Sequence, residues 1–175
     1  MMTAGLVAGV LFAMPAFLEA SANTGGTEAG ISKAVRHEIL MLPYYGIFDD
    51  LSYRVDGNTV TLYGQVAWPT LKSDAGNVVK HIEGVTRVVN NVEVLPLSPF
   101  DTRIRFATAR AIYGFPTLNR YAMGTHPPIH IIVKNGHVTL EGFVDNQSDK
   151  NVAGIRANGV FGVFSVTNNL QVDKS

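Results

Sequence analysis

One stretch of this chain occurs twice. Val55–Val66, VDGNTVTLYGQV, returns 78 residues later as Val133–Val144, VKNGHVTLEGFV. The ungapped match runs from Val55–Val94 onto Val133–Val172, with fifteen of forty positions identical. A repeat of that length constrains the architecture more than any other feature, because each copy must be one supersecondary unit. The 175 residues then divide into two units of about 65 to 75 residues, whose small cores favour packing of one copy on the other.

Taken in order, residues 1–22 hold a 13-residue apolar run, Leu6–Leu18, ending in Ala20-Ser21-Ala22. The run is too short to span a bilayer comfortably, and the small-x-small ending suits signal peptidase, so an export signal is expected. No base precedes it, the first being Lys33. The basic start of such a signal is therefore missing here, and a buried helix is the alternative. Residues 23–30 read as a flexible segment. The first unit, 31–97, opens on a helix capped by Ser32, with Val35, Ile39 and Leu42 as its apolar stripe up to Pro43. Tyr44, Tyr45, Ile47 and Phe48 in the following loop are expected to plug the core edge.

A hairpin comes next, strand 51–55 turning at Asp56-Gly57-Asn58 into strand 59–66, with Val60, Leu62 and Val66 alternating inward. A helix from Thr70 to about Ile82 follows, then a strand at 86–94. The second unit, 98–175, repeats the plan. A helix capped by Asp101 or Thr102 precedes a loose loop, a strand, Asn135-Gly136, a strand, a helix over 148–158 and a last strand. The fold class is α+β: two tandem αββαβ units, each a three-stranded mixed sheet with two helices on one face. Gly64 and Gly142 fall on inward strand faces, expected to let a helix pack close or to permit a bulge. Gly84 and Gly162 are expected to end helices. Asn90-Asn91 and Asn168-Asn169 are odd inside a strand, and are expected to mark a bulge or a side-chain bond to a neighbouring loop.

The paired pattern V-T-L-x-G-x-V, a helix carrying Ala75 or Ala153, then G-V-x-x-V-x-N-N-x-x-V resembles the BON domain. That family is named from bacterial osmotic-shock and nodulation proteins. The resemblance covers about 31–97 and 100–173. It implies a non-enzymatic exported envelope protein, with a proposed role in binding anionic phospholipid or membrane surfaces and supporting the envelope under stress. It attaches no catalytic residue and no cofactor. With no Cys to take a lipid anchor, the closer analogy is the soluble periplasmic form.

Charge is balanced overall but not locally. Residues 31–97 carry six bases and seven acids, residues 98–175 eight bases and five acids. The bias marks the second copy, the one with which the resemblance associates lipid. Its first helix interleaves Arg103, Arg105, Phe106, Arg110 and Tyr113, a pattern suited to an anionic headgroup surface. The same residues also suit a contact with another envelope protein, or with the first copy. Other chemistry finds little support. His126 and His130 are separated by Pro127-Pro128, which prevents the helical turn that would make their spacing a metal chelate. No G-x-S-x-G elbow is present. A nucleic-acid role lacks a GXXG clamp joining two helices, stacked aromatics on the free sheet face and net positive charge.

Overall fold

The computed structural model describes residues 26–173, so the apolar run and its expected cleavage site lie outside the described residues. In the first copy, helix α1 (Glu28–Leu40) leads to strands β1 (Asp50–Asp56) and β2 (Thr59–Val66). Helix α2 (Pro69–Lys80) and strands β3 (Arg87–Asn90) and β4 (Glu93–Val94) follow. The second copy has helix α3 (Pro99–Tyr113), strands β5 (Ile129–Lys134) and β6 (His137–Val144), helix α4 (Gln147–Asn158), and strands β7 (Ser165–Asn168) and β8 (Gln171–Val172). β1 pairs antiparallel with β2, and β3 and β4 both pair parallel with β2 on its other side. β5 to β8 repeat this arrangement around β6. Each unit is therefore a mixed sheet whose third strand is broken in two.

The break has a side-chain cause. Asn90 donates from Nδ2 to the Lys72 carbonyl (2.8 Å) and accepts the Val92 N–H at Oδ1 (3.2 Å). Asn168 does the same to the Lys150 carbonyl (2.7 Å) and the Leu170 N–H (3.3 Å). The asparagine thus pins the covering helix to the sheet while its own strand interrupts. The helix has a glycine at that point: a Cβ on Gly76 would stand 2.8 Å from Asn90 Nδ2, and one on Gly154 equally close to Asn168 Nδ2. Lys72, Ala75, Gly76 and Asn90 recur together in the repeat because they build this one joint.

Several expectations need correction. α1 begins at Glu28, with Thr27 as its cap (Gly30 N to Thr27 Oγ1, 3.1 Å); part of the segment read as flexible is therefore helix, and Ser32 lies inside it. Ser98, not Asp101 or Thr102, caps α3. Gly64 and Gly142 make room for a neighbouring strand's backbone rather than for a helix. Both adopt positive φ (109° and 106°), and a Cβ would collide with the carbonyl oxygens of Asp50 and Pro128 respectively. Gly84 and Gly162 lie beyond the helix ends, in turns closed by Val85 N to Ile82 O (3.1 Å) and Val163 N to Val160 O (3.2 Å). Their φ of 89° and 90° suits the third position of a type II turn.

Each copy buries its own core, built on Val60, Leu62 and Val66 under Ile31, Val35 and Leu71 in the first. Ile129, Ile131 and Leu140 under Ile104 and Ile112 form the second. The loop expected to be loose in copy 2 is ordered by a 3-10 turn, Asn119–Ala122, whose Tyr121 is buried with its hydroxyl donating to Asp149 Oδ2 (2.7 Å). That same hydroxyl accepts the Asp145 N–H, and Arg120 pairs with both acids. Burial pushes the Tyr121 hydroxyl up to about 12.

Candidate functional site

The residues predicted to form a surface on α3 separate into two groups. Arg103, Phe106 and Arg110 are exposed and share one stripe, since their spacings of three and four bring them to the same face. Tyr113, expected on the exposed side, and Arg105, expected near its edge as a candidate lipid contact, both turn inward. Arg105 is only 7% exposed and donates from Nη2 to the Val133 carbonyl (2.9 Å). Burial lowers its pKa from the ordinary value, opposed by the charges of Asp101 and Asp49. Tyr113 is half-buried and its hydroxyl donates to the Ile129 carbonyl (2.5 Å), with burial raising its pKa.

Asp101, fully buried, carries the hairpin below α3. Its two carboxylate oxygens accept the N–H groups of Asn135 (2.9 Å) and Gly136 (2.8 Å). This clamp fixes the N-terminal end of α3 over the β5–β6 turn, where both central residues take positive φ.

At that end the structure gathers aromatics that sequence reasoning did not group. Phe161 is 99% exposed and Phe164 74%. Phe164 stands 6.5 Å, centroid to centroid, from Phe100, and Arg103 lies over the Phe100 ring at 6.0 Å. A Cβ on Gly162, next to Phe161, would touch Phe100 at 3.2 Å. The apex of copy 2 is thus a phenylalanine cluster continuous with the Arg103–Phe106–Arg110 stripe. The available signal was the repeat itself. At the positions of Phe161 and Phe164, the first copy has Glu83 and Thr86.

A second surface is the seam between copies. The Ile47 carbonyl accepts the Ile131 N–H (2.6 Å), and Lys134 Nζ reaches Glu93 Oε1 (2.6 Å). Phe48 packs on the core of copy 2 and meets Phe106 edge-on at 5.2 Å, while Tyr45 stacks on His130 at 5.6 Å. Of the loop residues expected to plug the first core's edge, Ile47 and Phe48 lie at this seam, Tyr45 joins it to its own core, and Tyr44 is exposed at φ 68°. Burial, then the nearby Asp50 charge, pushes Tyr45 up to about 12. Asp49 is buried here, accepting the Ala67 N–H (2.7 Å) and the Gly46 N–H (3.2 Å), and desolvation raises its pKa above the usual carboxylate range. Among the described residues, no three His, Asp or Glu side chains are grouped to hold a metal ion.

Two broken-strand α/β modules, joined by a short linker and stitched along one seam, define a tandem surface-presenting protein. The family model for the BON domain matches residues 27–96 and 120–174, and the chain belongs to that family. BON domains occur in envelope proteins, and the family is not one of enzymes. The match leaves out residues 97–119, which hold α3 and its exposed stripe. No helix among the described residues is long and apolar enough to cross a membrane. No curated protein matches the chain. Two solved structures of CdsD, a structural protein of the type III secretion system of Chlamydia trachomatis, are similar at 13% identity. One covers 82% of this chain and 93% of its own at a TM-score of 0.32, and the other, its C-terminal domain, 81% and 96% at 0.28.

Proposed function

We propose that the protein is exported to the periplasm and binds anionic phospholipid through copy 2, supporting the integrity of the envelope under stress. The observation that carries this reading is Phe161, 99% exposed at the tip of a turn, beside Phe164, Phe100 and the base Arg103. A phenylalanine held in water gains about 1.5–3 kcal/mol on burial. Bases on the same face add roughly 1 kcal/mol each at an anionic surface. Phe161 and Phe164 would enter the headgroup boundary, and Arg103 and Arg110 would meet phosphates along the stripe. Asp101 and the Gly162 turn hold that apex rigid, so little ordering entropy opposes binding.

Co-sedimentation of the protein with anionic and with neutral vesicles, at low and moderate salt, tests the reading. Binding to anionic vesicles only, weakened by salt, by Arg103→Glu with Arg110→Glu, and by Phe161→Ser with Phe164→Ser, is the expected result. Binding indifferent to both double variants, or none to anionic vesicles, overturns it.

A further inference from the structure

The repeat allows each copy to be compared with the other, and the sheet edges differ. In copy 2 the Leu140 carbonyl accepts the Asn169 N–H (2.9 Å), so Leu140 faces β7 and its antiparallel partner Ile131 turns its own N–H and C=O outward. Ile129 and Val133 face outward by alternation. At each of the three positions one of the two outward backbone groups is bonded. Tyr113 bonds the Ile129 carbonyl, Ile47 of copy 1 accepts the Ile131 N–H, and Arg105 bonds the Val133 carbonyl.

The same geometry holds in copy 1. The Leu62 carbonyl accepts the Asn91 N–H (2.9 Å), so Leu62's partner Tyr53 faces outward, with Leu51 and Val55. Here only Leu51 is engaged, through the Tyr45 hydroxyl. Among the described residues, the backbone of Tyr53 and Val55 has no partner on the outer side. Unpaired strand edges are templates for another strand, and natural sheets ordinarily cover them. This one borders a groove of about 630 Å³, walled by Arg36 and Ile39 of α1 and by Pro127, Pro128 and Phe143 of copy 2. Its volume lies within the roughly 300–1,000 Å³ of ligand sites.

We infer that the β1 edge is a strand-addition site for an extended segment of a partner protein. The occupant's chemistry is shown by what fills the matching edge. There, the Ile47 carbonyl, presented by the Gly46–Asp49 turn, meets the central N–H, and the adjoining Phe48 side chain packs on the core of copy 2. At β1 the equivalent is a partner carbonyl on the Tyr53 N–H, with apolar side chains at alternate positions lying against Ile39 and the proline wall. Arg36 is exposed and has no acid partner among the described residues, so the segment carries an acidic residue at that end. The site is separate from the phenylalanine apex and does not depend on lipid binding.

Amide hydrogen exchange by NMR on the whole chain tests it. The probe is a capped heptapeptide that begins with glutamate and alternates valine and phenylalanine with threonine. In the free protein, the Tyr53 amide should exchange at least about 100-fold faster than that of Ile131. Millimolar peptide should slow Tyr53 about tenfold and leave Ile131 unchanged. The effect should vanish with a peptide N-methylated on the amides that face β1, and weaken with Arg36→Glu. Tyr53→Pro removes the outward donor and leaves the β1–β2 ladder. It also removes the Tyr53 hydroxyl's bond to the Ser32 carbonyl (2.9 Å), so Tyr53→Phe is its partner. The phenylalanine variant should bind as the wild type does, and the proline variant, folded by its NMR spectrum, should not. No slowing at Tyr53, slowing at Ile131 instead, or binding that survives Tyr53→Pro each overturns the proposal.

Discussion

The two copies are alike where they are buried and unlike where they are exposed. The joint of Asn90, Gly76 and the Lys72 carbonyl is reproduced by Asn168, Gly154 and the Lys150 carbonyl to within about 0.1 Å. At the turn apex, Glu83 and Thr86 of copy 1 stand where copy 2 has Phe161 and Phe164. At the outer edge, copy 2 is bonded at all three outward positions and copy 1 at Leu51 alone among the described residues. Duplication kept the frame and let the two surfaces diverge, with lipid contact proposed at one end of copy 2 and strand addition at one edge of copy 1.

The largest expected asymmetry is at the hairpins. Asp101→Ala takes the acceptor from one buried and one part-buried N–H and removes a charge near Arg105. It should cost about 3 kcal/mol, read as the urea midpoint at constant slope. Glu28, which accepts the Gly57 N–H from the first turn of α1, is the exposed counterpart. Glu28→Ala should cost less than about 1 kcal/mol. Equal costs would remove the contrast between a buried and an exposed clamp.

Next comes an expected symmetry. Asn90→Ala and Asn168→Ala should each cost about 1–2 kcal/mol, since each loses one bond to a helix carbonyl and one to its own strand. A large difference between them would show that the joints are not equivalent.

The smallest effect concerns pH and exists in copy 1 alone, because Pro127 stands at the position of Asp49. Burial holds the Asp49 carboxyl above its usual range, so the folded chain binds its proton more tightly than the unfolded one. The stabilising share is fully present below the unfolded pKa of about 4 and is lost as pH rises through the folded value. Thermal melts should therefore show the wild type gaining on Asp49→Asn as pH falls from 7 toward 4. The opposite trend would contradict a raised pKa.

Much of this frame was legible in the sequence. The repeat, the alternation of Val60, Leu62 and Val66, and Asn135-Gly136 located both hairpins because period and turn chemistry are local. The start of α1 was not, since Gly26 and Gly30 resemble breakers, yet Thr27 caps the helix and Gly30 sits in its first turn. The split of the third strand was hidden because its cause, Asn90, bonds a carbonyl 18 residues away. On α3, helical spacing identified Arg103, Phe106 and Arg110 as exposed. It put Tyr113 on that face and Arg105 near its edge, whereas the long side chains of both reach sideways to the β5 edge, a contact no single-helix reading contains. Phe161 and Phe164 stand apart in sequence from Phe100, and only the fold of the hairpin turn beneath α3 joins them.

The most direct measurement compares the two apices in one bilayer. In a Trp68→Phe background, Phe161→Trp and Glu83→Trp each place a single tryptophan at the matching turn tip. Anionic vesicles with brominated lipid tails should quench the tryptophan at 161 and leave that at 83 unaffected. Equal quenching at both tips, or none at 161, would contradict the assignment of lipid contact to copy 2.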